Sequence, residues 1–319
     1  MVDVKSKRIT AFVFIFSFVT AYLLNVPVVS AALTGIELSP VTKEIVLQPE
    51  DTQKTLSVLI KNRTRLTKQL DITARDFGSL NETGGVLFTG STGYTEKYGL
   101  ASWLTLETSS IVLEPGAERK VLVTVDNRES LGPGGHYGAI LVSVNDKDSS
   151  SGNQVAVQQE ISSLVFVNKT GGAKFDLKLD SFSLNSSAFR LPNTVKLRFH
   201  NPGNVHVVPR GTAQLKNASG KIVAQGIINE ESAYILPESY RQLITELRPV
   251  GRPLNLPGKY HLEVAYRYDG LSAVAVRSRP ITYGLPLLIL VPLIGLTFIY
   301  QKRKTLKNKP ADIITKSKS

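Results

Sequence analysis

Residues 131–144 read LGPGGHYGAILVSV, with four glycines and one proline in the first eight positions. Clustered glycines invite a phosphate cradle, in which free backbone N–H groups at a helix N-terminus face an anion. That chemistry needs a strand before the loop and a helix after it. Here an alternating apolar run follows, and no Gly-Lys-Ser/Thr closes the motif. Gly132, Gly134, Gly135 and Gly138 also miss the Gly-x-Gly-x-x-Gly spacing. The pattern predicts a turn, with Pro133 fixing φ and glycine supplying positive φ, that launches a strand. Gly138 within that strand implies a bulge or a close backbone approach.

The other reactive residue types do not assemble into a known chemistry. His200 and His206 flank NPGNV and could face each other across a turn; His136 and His261 stand apart. Two histidines do not close a zinc site, and the chain has no cysteine to help. All four are read as surface or inter-strand residues. Asp146 and Asp148 open like a calcium loop, but Ser151 and Val157 occupy the places that require glycine and glutamate. No serine lies in Gly-x-Ser-x-Gly. Carboxylate pairs such as Glu230 with Glu231, or Glu82 near Glu96, lack a pattern that would set two pKa values apart. LPNT at residues 191–194 has Val195 where a wall-sorting signal needs glycine. Trp103, the sole tryptophan, is a weak candidate for a sugar-stacking platform and otherwise a core aromatic. No catalytic residue, metal site or cofactor is expected.

Basic residues at Lys5, Lys7 and Arg8, an apolar stretch over residues 11–29 and small residues at 30–32 make a secretory signal peptide, residues 1–31. Residues 281–300 are twenty in a row without a charge, long enough to span a membrane as a helix. Tyr283 and Tyr300 bracket them, and the basic run QKRKTLKNK follows, as on a cytoplasmic side. The expected topology is single-pass type I in a cell membrane, with a basic tail over residues 301–319. The formal net charge of +12 sits largely in that tail and near the N-terminus. It reports topology, and nucleic acid is not an expected partner. An extracellular part without cysteine points to a bacterial surface protein whose domains fold on core burial alone. Five Asn-x-Ser/Thr sequons, at Asn62, Asn81, Asn168, Asn185 and Asn217, are read as unmodified surface turns.

Between those ends, short alternating runs rich in Val, Ile, Thr and Leu are separated by turn clusters. Period-2 alternation at this spacing predicts an all-β chain of two tandem immunoglobulin-like β-sandwiches. They cover residues 33–169 and 172–280, with NKTGGAK at 168–174 as a hinge. The opening stretch has a counterpart in LNLPGKYHLEVAYRY, residues 254–268. Each is preceded by a turn and a strand, so the two sandwiches look like copies of one plan. Tyr137 and Tyr260 then correspond.

SWLTLETSSIVLEPGAERKVLVTV followed by PGGHYGAILVSV resembles the peptidoglycan-binding domain of the bacterial WxL-interacting proteins. NPGNVHVVPRGTAQLKNASGKIV and LPGKYHLEV resemble the second domain of such proteins. The matching positions, Pro133, Gly134, Gly135, His136, Tyr137, Gly138, Asn201, Gly203, Asn204, His206, Pro257, Gly258 and Tyr260, are read as structural. The resemblance implies a non-catalytic, membrane-anchored surface protein that binds peptidoglycan or another surface protein. The alternatives are an envelope assembly scaffold or chaperone-like module acting by strand addition, and a wall-acting enzyme.

Overall fold

The computed structural model describes residues 35–88, 96–128, 131–145, 160–185, 191–252, 256–271 and 274–307. The expected signal peptide, the loop with Asp146 and Asp148, and the tail beyond residue 307 lie outside them.

The first half contains β1 (Ile36–Ser39), β2 (Thr42–Leu47), β3 (Gln53–Asn62), β4 (Lys68–Ser79), β5 (Val86–Phe88), β6 (Leu104–Leu106), β7 (Ser110–Leu113), β8 (Glu118–Asp126), β9 (Gly134–Val144) and β10 (Glu160–Lys169). One sheet runs β1-β3-β8-β6 and the other β2-β10-β9-β4-β5, with β7 also on β4. Between them lies an apolar core that includes Leu47, Val58, Ile60, Leu70, Ile140 and Val167. The second half contains β11 (Lys178–Leu184), β12 (Thr194–His200), β13 (Arg210–Asn217), β14 (Ile222–Ile228), β15 (Tyr240–Glu246), β16 (Arg248–Pro249), β17 (Gly258–Arg267) and β18 (Ala275–Tyr283). Its sheets, β11-β12-β15 and β16-β14-β13-β17-β18, enclose Leu197, Phe199, Leu215, Leu262 and Val264.

Both halves are immunoglobulin-like sandwiches by strand order. β1-β3-β8 in one matches β11-β12-β15 in the other, and β10-β9-β4 matches β18-β17-β13. The duplicated plan therefore holds at the level of topology. The tyrosine correspondence does not. Tyr137 belongs to an apolar cluster outside the first core, together with Ala139 and Leu141, whereas Tyr260 lies inside the second core. The turn before Tyr137 carries one more residue after its proline than the turn before Tyr260. With a side-chain period of two, one residue reverses the face. Counted from the proline, Tyr260 matches His136.

The residues expected to form a hinge are pinned. Asn204 Oδ1 accepts the Lys174 N–H at 2.6 Å, Asn204 N–H donates to Lys174 O at 3.0 Å, and Asn204 Nδ2 donates to Gly172 O at 3.1 Å. Two sequons are also not surface turns. Asn62 is fully buried and donates to Leu66 O and Leu113 O, and Asn168 is buried within β10. Asn81 and Asn217 do form polar turns, with Asn81 Oδ1 accepting from Thr83 N–H and Asn217 Oδ1 from Ser219 N–H.

The expected helical span of residues 281–300 is shifted. Ile281 to Tyr283 complete β18, where Ile281 pairs with Tyr260, and helix α1 (Leu285–Lys307) starts after Gly284. Gly284 turns the chain at φ +70°, against Pro257. Ile289, Val291, Ile294, Leu296 and Phe298 are exposed on α1. Among the described residues no helix is long and apolar enough to cross a membrane; the side chains of residues 285–288 lie outside that description.

Candidate functional site

The singled-out residues of the 133–137 turn and of the 201–206 loop converge on the joint between the two sandwiches. The turn at 131–135 does launch β9, as its spacing predicts, with Gly134 at φ +126°. Gly135 N–H donates to Asn204 O at 2.7 Å, and Gly134 leaves no room for a Cβ against that same carbonyl. Asn201, fully buried, donates to Val205 O and Ile235 O and accepts the Gly203 N–H, which shapes the facing loop. Gly138 sits in regular ladder register rather than at a bulge, and a Cβ there would press on the side chains of Leu100 and Leu104.

At the centre of the joint, His206 N–H donates to Tyr137 Oη at 2.9 Å. His206 Nε2 lies 3.0 Å from Glu44 Oε1, and Nδ1 lies 3.3 Å from Tyr137 Oη. An ionised carboxylate only accepts, so Nε2 carries a proton toward Glu44. The histidine bond holds the Glu44 carboxyl below its ordinary pKa. Phe77, Phe166 and Tyr234 pack around this pair. His206 therefore does not face His200, which stacks on Tyr240 at 4.2 Å. Nor is His206 a surface residue, being 4% exposed. His136 is buried too, with Nε2 2.8 Å from Gly132 O and burial lowering its pKa.

Charged clasps flank the aromatic centre. Arg198 Nε and Nη2 donate to Glu82 at 2.9 and 2.6 Å, and Arg198 Nη1 donates to Asp180 at 2.7 Å. The guanidinium brings the Glu82 pKa down to about 2. Gln242 N–H donates to Glu82 O at 2.7 Å, so the β4–β5 hairpin of the first sandwich already makes one main-chain bond to the edge of β15. On the other side Lys97 Nζ and Tyr98 Oη both donate to Glu238 Oε1, at 2.5 and 2.9 Å.

Among the described residues, hollows lie beside the joint. A groove of about 890 Å³ lies between β14 and β15, beside the exposed Ile227 and Ile244. A cleft of about 410 Å³ is lined by Phe77, Phe166, Tyr234 and Tyr240. Arg241 borders both, and its sequence signal was a charged residue in register with the inward Leu243 and Thr245. The third hollow, about 380 Å³, is lined by Lys97, Tyr98, Trp103, Pro133 and His136. Trp103 is half-buried against the first core, with the Arg128 guanidinium 5.7 Å from its ring centre. The glycine-rich turn is thus a wall of a hollow as well as the start of a strand. Pro257, Gly258 and Tyr260 lie away from the joint, at the end of β17 next to α1, where Tyr260 Oη donates to Leu256 O at 2.6 Å. Among the described residues no group of three or more His, Asp or Glu could hold a metal.

No protein-family model and no curated protein matches the chain. Among solved structures it is similar to a chaperone–tip adhesin complex of CFA/I fimbriae, at 11% identity and TM-score 0.42 over 77% of this chain and 98% of that one. It is similar to the class 5 fimbriae chaperone CfaA, at 12% identity and TM-score 0.40 over 77% and 99%. It is similar to the E. coli chaperone DraB, at 13% identity and TM-score 0.36 over 76% and 98%.

Proposed function

We propose that this chain is a non-catalytic binding module of a bacterial cell envelope that holds an extended segment of another protein by strand addition, acting as an assembly scaffold. The observation that carries the reading is the edge of β15. Gln242 N–H points away from the sheet and is taken by Glu82 O. In an antiparallel ladder every second residue points the same way, so the main chain of Ile244 continues that edge. The edge opens onto the groove beside Ile227 and Ile244. Edge strands recruit partners through main-chain hydrogen bonds, while side-chain pockets select among them. Another edge of this sandwich, β18, is blunted: Arg277 and Arg279 pair with the inward Val264 and Leu262, and Pro280 interrupts its donors. The exposed apolar residues of α1, with the basic run behind them, support a membrane tether that leaves the sandwiches outside the cell.

A second reading, recognition of peptidoglycan, draws on the hollow lined by Trp103, Tyr98 and Lys97 and on the resemblance to WxL-interacting proteins. The test is a photo-crosslinking residue in place of Ile244 in the full chain in cells. A discrete protein adduct is the expected product. Sedimentation of the purified full-length protein with peptidoglycan, with no protein adduct from position 244, would transfer the function to the second reading.

A further inference from the structure

The charges of the second sandwich are sorted along its strands. Its acids gather toward the joint: Asp176, Asp180, Glu230, Glu231, Glu238 and Asp269. The other two, Glu246 and Glu263, lie against Arg248 and Lys216 at 3.9 and 2.8 Å. The opposite end is built from the β13–β14 hairpin tip, residues 250–252, and Gly258 of β17 paired with Tyr283 of β18. Lys221, Arg252 and Lys259 stand exposed there. Strand pairing collects them on one rim. Lys221 N–H donates to Asn217 Oδ1, and Asn217 pairs with Tyr260, next to Lys259. Val250 N–H donates to Val223 O at 3.0 Å, which carries Arg252 to the same rim. Among the described residues none of the three cations has a carboxylate partner. No acid occurs in residues 216–222, 250–252 or 256–261. Like charges on one rim repel, so folding gains nothing from gathering them. Helix α1 leaves from this same end, where Gly284 lies against Pro257.

We propose that this basic rim docks on anionic phospholipid headgroups of the bilayer that α1 enters, with Lys221, Arg252 and Lys259 as the contacts. This rests on the membrane tether of the proposed function and adds a second point of attachment to it. Cations beside an anionic bilayer are attracted within a Debye length of its surface. The contact is with headgroups and not with acyl chains, because all three side chains end in a charge. The sorting of charge then has a use: the basic end is drawn to the bilayer and the acidic end is repelled from it. The strands of the second sandwich stand away from the membrane, and the joint is held clear of lipid.

The experiment places a fluorophore on Ala218→Cys at the hairpin tip of the full chain, in nanodiscs whose phosphatidylcholine carries a nitroxide quencher on its headgroup. Matching fluorophores on Asp269→Cys and Leu296→Cys report the joint end and the helix. Adding phosphatidylglycerol to the discs is expected to raise quenching at 218 and to leave 269 unchanged. At about 1 M salt, where exposed charges are screened beyond roughly 3 Å, the rise should vanish. Replacing Lys221, Arg252 and Lys259 by glutamine is expected to lower the docking constant about fivefold for each charge removed. Lys221→Arg with Lys259→Arg keeps the charge and should keep the rise. The lipid and salt comparisons use the same labelled chain, so a folding defect in a charge variant does not blur them. No rise at 218, while the 296 fluorophore reports an acyl environment, overturns the docking face and leaves the tether standing. A 296 fluorophore in water in both discs overturns the tether, and the face with it. An equal rise at 218 and 269 means a sandwich lying flat and also overturns the proposal. So does binding of soluble sodium polyphosphate to these residues without quenching in anionic discs, which assigns them to a wall polymer.

Discussion

Tyr137 and His206, sixty-nine positions apart, hold each other twice: main-chain N–H to hydroxyl at 2.9 Å, and hydroxyl to ring Nδ1 at 3.3 Å. Each belongs to a different sandwich, and both are almost fully buried. Tyr137→Phe removes the hydroxyl and leaves the His206 N–H without an acceptor in a place water does not reach. The expected cost is about 1–3 kcal/mol. Denaturant unfolding followed through the fluorescence of the single tryptophan measures it. An unchanged midpoint would mean that the joint does not contribute to the stability of the first sandwich.

The Glu82–Arg198 clasp gives a pH dependence with a definite sign. The carboxyl has a folded pKa of about 2, below its ordinary 4.5. A depressed carboxylate contributes stability above its unfolded pKa and loses it as pH falls through the folded value. The clasp is therefore expected to be intact at neutral pH and to fade between about 4.5 and about 2. Glu82→Gln should lower the melting temperature at pH 7, with the difference from the unaltered protein shrinking across that window. Glu44, depressed by His206, acts in the same direction. A gap between the two proteins that widens on acidification would contradict this assignment.

The strands were legible because alternation needs only local sequence: the short alternating runs mark fifteen of the eighteen strands among the described residues and miss β1, β5 and β16. The joint was not legible for a different reason. Whether Tyr137 points inward depends on parity counted from the turn, and the extra residue after Pro133 reverses it. Asn201, Gly203 and Asn204 stood out as a motif, but their partners, Ile235, Lys174 and Gly135, lie on segments that only the packing brings near. Arg241 did carry a local signal, as a charge on the inner face of an alternating strand.

Gly226 on β14 makes the groove possible. A Cβ there would run into the Glu246 carbonyl and stand 2.8 Å from Thr245 Cγ2, so β15 could not seat beside β14. Gly226→Ala is expected to cost about 1–3 kcal/mol through overpacking. It should also displace the β15 edge, so the Ile244 crosslink weakens while the first sandwich keeps its tryptophan signal. Thermal unfolding and the crosslink yield, measured on the same sample, check both halves of the expectation.

The link between β18 and α1 makes topology testable in a chain that has no cysteine. Only Gly284 separates Tyr283 of β18 from the first residue of the helix. On the proposed membrane tether, the end of the second sandwich with Leu256 and Pro257 lies beside the bilayer. Single cysteines replace Leu256, which is 58% exposed, and Lys304, four residues after Tyr300. In intact cells, after removal of any outer barrier, an impermeant maleimide is expected to label position 256 and to reach position 304 only once the membrane is broken. That outcome places the basic run inside, as its charge requires, and both sandwiches outside. Equal labelling of both positions in intact cells would sink the membrane tether. The strand edge of β15 would then have to be assigned to a protein that works free in solution.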